Sequence, residues 1–403
     1  MSSMDPLKST LFTKAFTPNP YPAYAQLREE EPVARVRLPD GQYAWIITRY
    51  EDALEALKSQ KFIKDFTKLT DNGDANESSV FSENMLFADL PEHKRLRGLV
   101  SKSFTPQMIE RYRVRIQEIT DELLEQTEGQ EKMDLIEEFA FPLPIIVICE
   151  ILGIPVEDRD QFRTWSNSMI EGTNETYDEA HAQEIQQHMS EFVQYLGARF
   201  ATVRQNPGDD LISKLIATEE EDQLTEKELY GVISLLIIAG HETTVNFIGN
   251  SIMALLENPD QLALLQSQPE LIKPAIEETL RYNDPVEFST SRWAGEDMEF
   301  KGQFIRKSDL VIVVLNSANH DSSQFEDPEI LDITREKSKH LAFGKGIHAC
   351  LGAPLARLEG EIAISSFFKR YPNTLMNIDP DDLEWRGGMV VRGVRELPVL
   401  LNR

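Results

Sequence analysis

The feature that most constrains the fold is a long helical segment near the middle of the chain. Residues 225–228, with the sequence TEKE, form a capping box. The helical pattern that follows continues to Glu257, just before Asn258-Pro259. At 1.5 Å per residue this helix would be about 45–50 Å long, which only the interior of a sizeable domain accommodates. Its middle, Val232–Ala239, is apolar on every side and is expected to be buried. The polar sequence GHETT follows at 240–244, where burial should be deepest, so we expect it to have a function.

A second feature is a cysteine at the end of a glycine-punctuated loop, FGKGIHACLG at residues 343–352. A helical pattern begins directly after Cys350 and continues to about Arg370. A thiolate just before a helix is stabilised by the positive end of the helix dipole and by backbone N–H groups. Gly344 and Gly346 permit close approaches that a side chain would block. This arrangement suits a thiolate held against a metal ion.

Composition excludes several classes of protein. The 403 residues are 41% hydrophobic, which is ample for a sizeable core. The net charge of −27 argues against a non-specific nucleic-acid binder. Met1–Tyr21 has no long apolar run, and the longest apolar stretches are too short to span a bilayer, so we expect no signal peptide and no membrane association. With only Cys149 and Cys350, a disulfide framework or thiolate-rich zinc site is not credible, and a cytoplasmic location is favoured. Cys149 is interpreted as a small buried hydrophobe.

The rest of the chain is predicted to be mainly α-helical with a minor β region. Because no repeat or long linker divides it, we expect a single domain over residues 1–403. The β-rich parts are expected at about 32–49, 286–315 and 374–403. Within them, a hairpin is predicted from Val33–Leu38 and Tyr43–Thr48, and strands from Phe288–Trp293, Glu299–Ile305 and Leu310–Leu315. Thr105-Pro106 is predicted to open a helix that continues to about Thr127.

The cysteine loop resembles the haem-binding signature of the cytochrome P-450 family, F-G-x-G-x-H-x-C-x-G, and matches it at every fixed position. Three further motifs of that family occur in the expected order. They are H-x-x-x-R as HKRLR at 93–97, the acid–alcohol motif as AGHET at 239–243, and E-x-x-R as ETLR at 278–281. The resemblance covers nearly the whole chain, and four motifs together are very specific. It implies the single-domain cytochrome P-450 fold, a long central helix over haem b, and monooxygenase activity.

The same resemblance assigns the residues around the haem. Cys350 would be the axial ligand of the haem iron. Two alternatives, an inert helix-capping cysteine and a nucleophile paired with His348, do not explain the other motifs. Buried propionates need charged or strongly hydrogen-bonding partners. The residues implied to bind the cofactor are His93, Arg97, Ala239, Arg292, Phe343, Gly344, His348 and Cys350.

Glu242 and Thr243 are implied to be the catalytic pair that activates oxygen. Thr243 can bond back to the carbonyl of Ala239 and loosen the helix there, which would leave a notch facing the iron. The alternative is a water-filled kink with no catalytic role. His241 would either face away from the haem or join the proton route. Glu278, Arg281 and Arg335 are interpreted as a structural ion-pair cluster.

Family position also suggests a substrate pocket and therefore a class of substrate. An apolar and fairly roomy small molecule is expected, such as a macrolide or polyketide, a steroid, a terpenoid or a fatty acid. Glu287 is the one charge beside this region and is expected to point to solvent. The suggested pocket residues are Phe81, Met85, Leu86, Trp165, Leu236, Val286, Phe288, Met389 and Val390.

The chain shows no flavin or iron–sulfur domain, so electrons from NAD(P)H would arrive through a ferredoxin or flavodoxin and its reductase. Such partners are mostly acidic. A basic patch is therefore expected on the cysteine side, and a monomer is expected. The patch would draw on Lys94, Arg95, Arg111, Lys345 and Arg357. Two rival functions remain open, a peroxide-driven peroxygenase and a non-catalytic haem sensor, although neither needs the Glu242–Thr243 pair.

Overall fold

The computed structural model describes residues 11–13, 16–69, 82–171, 179–217, 224–336, 338–386 and 390–402. Helices dominate this part of the chain. They are α1 Tyr21–Glu30, α2 Tyr50–Lys58, α3 Glu92–Ser103, α4 Pro106–Arg111, α5 Arg113–Gln126, α6 Pro142–Leu152, α7 Arg159–Glu171, α8 Glu179–Gln205, α9 Leu211–Ile216, α10 Glu226–Glu257, α11 Pro259–Ser267, α12 Ile272–Tyr282, α13 Leu315–Asn319 and α14 Ala353–Arg370.

The strands are short and form three small sheets. They are β1 Val33–Arg37, β2 Tyr43–Ile47, β3 Phe62–Ile63, β4 Lys132–Asp134, β5 Arg292–Ala294, β6 Met298–Phe300, β7 Gln303–Ile305, β8 Leu310–Val313, β9 Leu375–Met376 and β10 Pro398–Leu400. The first sheet has the order β1-β2-β8-β5-β3, the second β4-β10-β9, and β6 pairs with β7. β1 and β2 are antiparallel with Val33 opposite Ile47, whereas β2 and β8 are parallel. The larger sheet thus joins the predicted N-terminal hairpin to the segment that precedes the cysteine loop.

The central helix α10 begins as the sequence predicts. The Thr225 hydroxyl accepts the Glu228 N–H at 3.2 Å, and the Glu228 carboxylate accepts the Thr225 N–H at 2.7 Å. The helix then continues unbroken to Glu257. It is the one helix among the described residues that is long and apolar enough to cross a membrane, yet 67% of its most apolar stretch is buried inside the protein. It is therefore a core helix of this fold.

Helix α14, which follows the cysteine loop, packs directly on α10. The two helices meet so closely that a side chain at Gly360 would collide with the Phe247 ring. Helices α6 and α12 also contact α10, and all four contribute to the largest hydrophobic core cluster. The cysteine loop is therefore attached to the largest hydrophobic core, which fixes its position.

Three sequence predictions are wrong in detail. The helix expected from Thr105 to Thr127 divides at Tyr112 into α4 and α5, although Thr105 does cap its start by accepting the Met108 N–H at 3.2 Å. The strand expected over Glu299–Ile305 is the hairpin β6–β7, since Lys301 and Gly302 adopt positive φ angles of 51° and 79°. The strand expected over Phe288–Trp293 is reduced to β5, because the preceding residues make only isolated bridges.

Candidate active site

The cysteine loop folds back on itself before α14 begins. The Cys350 N–H donates to the Phe343 carbonyl at 2.8 Å, which closes the loop. Gly344 and Gly346 have φ angles of 62° and 76°, in the left-handed region that favours glycine. A Cβ at position 346 would also lie 2.6 Å from the Leu57 carbonyl oxygen. The second glycine therefore lets the loop press against the end of α2, and this contact holds the cysteine in place.

The Cys350 thiol combines exposure with desolvation. The residue is accessible to solvent, yet surrounding protein atoms desolvate the thiol enough to raise its pKa. Backbone N–H groups of Gly352 and Ala353, together with Arg97 and Arg357, oppose this and favour the thiolate. A sulfur that is desolvated, faced by N–H groups and open on one side is arranged to bind a metal cation.

Four basic residues that the sequence singled out come together beside this loop. The Arg97 guanidinium donates to the Ala349 carbonyl at 2.7 Å, and the rings of His93 and His348 meet edge-on at 4.4 Å. Arg292 is 4% exposed, and its burial lowers its pKa to about 10. The pKa of His348 falls to about 3, because it is desolvated and surrounded by cations that include Arg292 and Arg97. Burial and the nearby Arg97 also lower the pKa of His93 below its ordinary value, which favours the neutral form of both histidines at physiological pH.

Lys64 is a fifth member of this basic group, and sequence reasoning missed it. Its side chain is 1% exposed, and its ammonium donates to the Thr290 carbonyl at 3.1 Å, the Ser291 carbonyl at 2.9 Å and the Thr290 hydroxyl. Desolvation and the nearby Arg292 lower its pKa well below the ordinary value. A lysine in a polar segment resembles any surface lysine, so only the fold shows that it belongs to the site.

The basic group fits the two carboxylates of a haem. Lys64, Arg97 and Arg292 are cationic side chains, and among the described residues the carboxylate that acts on His93, Lys64 and Arg292 is that of Asp89. The Nε2 atom of His93 is buried and has no hydrogen-bond partner within the described part of the chain. Buried cations and an unpaired donor both call for an anion in this place. Two propionates next to a cysteine ligand meet that need.

One face of the central helix opens onto space at its middle. Ala239 is exposed, and Leu236, Gly240 and Thr243 are half-buried, although Val232 and its neighbours are fully buried. The expectation that Val232–Ala239 is buried on every side is therefore wrong. The uncovered face carries Ala239, which was expected to contact the cofactor.

Glu242 and Thr243 lie at this opening. The Thr243 hydroxyl donates to the Ala239 carbonyl at 2.6 Å, as predicted, and the Thr244 hydroxyl makes the same bond to Gly240 at 3.0 Å. Glu242 is 7% exposed, and its burial raises the pKa of the carboxyl to about 7, although Arg386 acts in the opposite direction. The Arg386 guanidinium lies 3.8 Å from the carboxylate. The pair thus combines a hydroxyl with an acid that titrates near neutral pH.

His241 lies between neighbouring helices. It is completely buried, with its Nδ1 atom 3.4 Å from the Ser166 hydroxyl of α7 and its ring 4.4 Å from that of Phe141. Burial lowers the pKa of His241 to about 3, so the ring is neutral. Its contacts with Phe141 and Ser166 indicate a packing role.

The E-x-x-R residues form the compact cluster that was expected. Both nitrogens of the Arg281 fork donate to Glu278, at 2.8 and 2.9 Å, and the Arg335 Nε donates to the same carboxylate at 3.0 Å. Arg281 also donates to the carbonyls of Pro328 and Ile330 at 2.7 and 3.0 Å. These bonds anchor the irregular segment that leads to the cysteine loop, because a buried fork needs all its acceptors in fixed places.

The suggested substrate residues divide into two groups. Leu86, Leu236 and Val286 are half-buried, and Val390 is 37% exposed, so these side chains retain free surface. Met85, Trp165 and Phe288 are buried in protein contacts instead. Trp165 packs with Phe192 and Tyr195, and Phe288 packs with Tyr24 and Phe12. Phe81 and Met389 lie outside the described residues.

Glu287 does not point to solvent, and that expectation is wrong. Glu287 is 6% exposed. Its carboxylate accepts hydrogen bonds from the Tyr24 hydroxyl and, at 3.2 Å, from the Asn316 amide. Arg392 also pairs with this carboxylate at 3.5 Å, so partners from three distant parts of the chain compensate its charge, and no local sequence pattern predicts them.

Comparison with known proteins agrees with this geometry. The family model of Cytochrome P450 matches residues 6–268 and 261–393. Cytochrome P450 107B1 of Saccharopolyspora erythraea is 46% identical over 398 residues, which are 96% of each chain. The solved structure of the Bacillus subtilis bacillaene polyketide synthase cytochrome P450 PksS is 42% identical, with a TM-score of 0.91 over 97% of this chain and 99% of that one. Myxobacterial cytochrome P450 CYP267B1 in complex with myristic acid is 38% identical, with a TM-score of 0.91 over 98% and 99%.

Proposed function

Because this chain belongs to the cytochrome P450 family, we propose that it hydroxylates an apolar small molecule of the macrolide or polyketide, steroid, terpenoid or fatty-acid kind. Within that family it is a haem-thiolate monooxygenase that binds haem b and takes electrons from NAD(P)H through redox partners. The bound haem supplies redox chemistry in which one atom of dioxygen enters a C–H bond and the other leaves as water, and a thiolate ligand favours the O–O cleavage this requires.

The observation that carries the proposal is the acid–alcohol pair at the open face of α10. An acid whose pKa burial raises to about 7 holds a proton at neutral pH and can still release it. The Thr243 hydroxyl donates to the Ala239 carbonyl, so its oxygen remains able to accept a hydrogen bond from a proton donor. We assign Glu242 to supplying protons and Thr243 to directing them at the edge of the cavity.

The remaining site residues hold the cofactor. Cys350 would bind the iron, while His93, Arg97, Arg292 and His348 would bind the propionates. Lys64 supports Arg292, because its ammonium bonds to the carbonyls of the two residues just before it. Phe343 would cover one side of the cysteine loop. The Arg357 guanidinium stacks on its ring, 4.4 Å from the ring centre.

Apolar surface supports the substrate class. Ala239 and Leu236 of the central helix keep uncovered surface, and Val390 and Phe87 are 37% and 42% exposed. Apolar side chains that remain uncovered favour a hydrophobic ligand where they border a pocket. The similarity to a polyketide synthase P450, and to a P450 solved with myristic acid, supports the polyketide and fatty-acid members of this set.

For electron delivery, we propose that a ferredoxin or flavodoxin docks on the cysteine side. A groove of about 490 Å³ lies there between α4, α12 and the start of α14. The expected basic patch is weaker than its sequence suggested, since Arg357 is held by Glu277 at 2.6 Å and Arg95 pairs with Glu92 and Glu228.

The composition, with only two cysteines, supports a cytoplasmic location. The predicted single-domain cytochrome P450 fold is confirmed by the similarity to solved P450 structures, whereas the domain bounds 1–403 and a monomeric state stay predictions.

Replacing Thr243 with alanine tests the proposed mechanism. Spectral titration of polyketides, steroids and fatty acids first identifies a compound that displaces water from the iron. With that compound, T243A should still oxidise NADPH, but the product formed per NADPH should fall at least about tenfold, because protons are no longer directed.

Thr244→Ala is the matched control for this substitution. Thr244 makes the same bond to the preceding turn but is buried away from the opening. Its replacement should leave product per NADPH unchanged. An undiminished yield in T243A, or an equal loss in T244A, would contradict the role given to Thr243.

A further inference from the structure

We propose that the buried ion pair between Glu287 and Arg392 fixes the distance between two walls of the substrate pocket, and that Arg392 is a positioning residue for substrate selectivity. The inference rests on the proposed function, since it assumes that Val286 and Val390 border the pocket. Arg392 comes from the C-terminal segment, and Glu287 comes from the segment between α12 and β5. Their NH1 and Oε2 atoms are 3.5 Å apart, with both side chains at most 8% exposed.

The Arg392 side chain connects its own C-terminal segment to two other parts of the chain. Its guanidinium donates to the carbonyls of Thr17 and Pro18, at 2.5 and 3.1 Å, and to the Asn283 side-chain oxygen at 3.3 Å. The guanidinium also stacks 4.0 Å from the centre of the Trp385 ring. An arginine that uses its whole planar fork in this way holds one orientation, unlike a flexible surface arginine.

Backbone hydrogen bonds of Glu287 and Arg392 join the same two segments. The Glu287 N–H donates to the Val390 carbonyl at 2.9 Å, and the Arg392 N–H donates to the Pro285 carbonyl at 2.8 Å. Val286 and Val391 form an isolated antiparallel bridge between them. Two backbone bonds alone form a ladder too short to be stable by itself. The side-chain ion pair therefore reinforces the contact between these two walls, which the short ladder alone would hold weakly.

The central helix fixes the third side of this arrangement. The Asn250 amide donates to the Arg392 carbonyl at 3.0 Å, and a side chain at Gly393 would collide with the Asn246 amide. Glu242, Asn246 and Asn250 are spaced four residues apart, so they lie along one face of α10. All three contact the C-terminal segment, since Arg386 of that segment pairs with Glu242. These contacts fix the position of the wall that carries Val390 relative to Glu242, the proposed catalytic acid.

This geometry predicts a selective defect when the ion pair is broken. Removing one partner leaves the other buried and uncompensated, so the two segments would separate to admit water. A ligand that fills the pocket would lose contacts with the receding wall. A ligand that reaches only the iron would keep its contacts. A role in folding alone would weaken both kinds of ligand equally.

The test uses purified holoprotein and two azoles that bind haem iron, imidazole as the small probe and clotrimazole as the bulky one. Spectral titration should show that Arg392→Met weakens clotrimazole binding about tenfold or more and changes imidazole binding by less than about twofold. Glu287→Gln keeps the shape of the side chain and removes its charge. E287Q should shift the ratio of the two affinities in the same direction. It also provides an independent test if R392M fails to fold.

Arg395→Met is the matched control, because Arg395 lies in the same segment but forms an exposed pair with Glu384. It should leave both affinities unchanged. Equal changes for the two azoles in R392M and E287Q, unchanged affinities in E287Q, or a similar selective loss in R395M would overturn the proposal. A wild-type protein that binds haem but neither azole would contradict the pocket, and one that binds no haem would contradict the proposed function itself.

Discussion

At the scale of single residues, the site depends on charges kept away from water. Burial alone would favour a neutral thiol at Cys350 and a neutral carboxyl at Glu242. In each case a nearby arginine works against burial, Arg97 for the cysteine and Arg386 for the acid. For Glu242 the balance leaves a pKa of about 7, so this acid can change its protonation state near neutral pH, which is what proton transfer during turnover requires.

Arg386 should set the pH dependence of coupled turnover. Burial raises the pKa of Glu242 from 4.5 to about 7, while Arg386 lowers it, and the neutral His241 next to it adds no charge. If the protonated acid supplies protons, product per NADPH falls as pH rises through this pKa. Arg386→Gln removes the lowering influence and should move the fall to higher pH. Product per NADPH measured from about pH 6 to 9 checks this.

Two further variants test whether Glu242 causes the pH dependence of product formed per NADPH. Glu242→Gln cannot titrate and should give a low, flat profile, whereas Arg395→Met, an exposed arginine nearby in sequence, should reproduce the wild-type profile. A profile for R386Q that is unchanged, or shifted to lower pH, would be inconsistent with Glu242 as the proton donor.

At the scale of elements, the redox partner is expected to approach the groove beside α14. Its walls mix Arg113, Lys273 and Arg357 with three glutamates, so the cations there are largely compensated. Lys273 is exposed on this groove, and Lys345 is half-buried in the cysteine loop. These two side chains can still attract an acidic partner over several ångströms.

Charge reversal at these two lysines should slow electron transfer. In the double variant Lys273→Glu and Lys345→Glu, stopped-flow reduction by an acidic ferredoxin should be about threefold to tenfold slower at low salt, with substrate affinity unchanged. Lys61→Glu is the control, since Lys61 is an exposed lysine, paired with Glu296, at the sheet. Equal reduction rates in all three proteins would exclude this docking surface.

Elements with strong local signals were predictable from the sequence. The capping box at Thr225 marked the start of α10, and the Thr105 cap marked the start of α4. Interruptions were not predictable. Tyr112 divides one apolar pattern into α4 and α5, and the turn at Gly302 divides one strand pattern into two, because tertiary packing overrides weak local preference.

The same limit applies to the candidate site. Motif residues such as Cys350 and Glu242 could be named, since their spacing carries the family resemblance. Lys64, Arg386 and Arg392 could not, because each acts through partners more than a hundred residues away in the chain. Burial decides their role, and a single sequence does not show which charged side chains are buried.

At the scale of the whole molecule, the described residues form two main hydrophobic cores. The helices around α10 form the largest core, and the five-stranded sheet forms a second core with its own hydrophobic cluster. The C-terminal segment spans both, since Arg392 contacts Asn250 of the central helix and Glu287 near the sheet. We therefore expect substrate selectivity and proton supply to be linked through this segment of chain.

The origin of the oxygen in the product tests the central claim most directly. The holoprotein, its redox partners, NADPH and a substrate found by spectral titration are incubated under ¹⁸O₂, and the product is analysed by mass spectrometry. A dioxygen-dependent monooxygenase should place one ¹⁸O atom in each hydroxylated product molecule. Product that carries no label, with turnover supported instead by added hydrogen peroxide, would identify a peroxygenase and contradict the account.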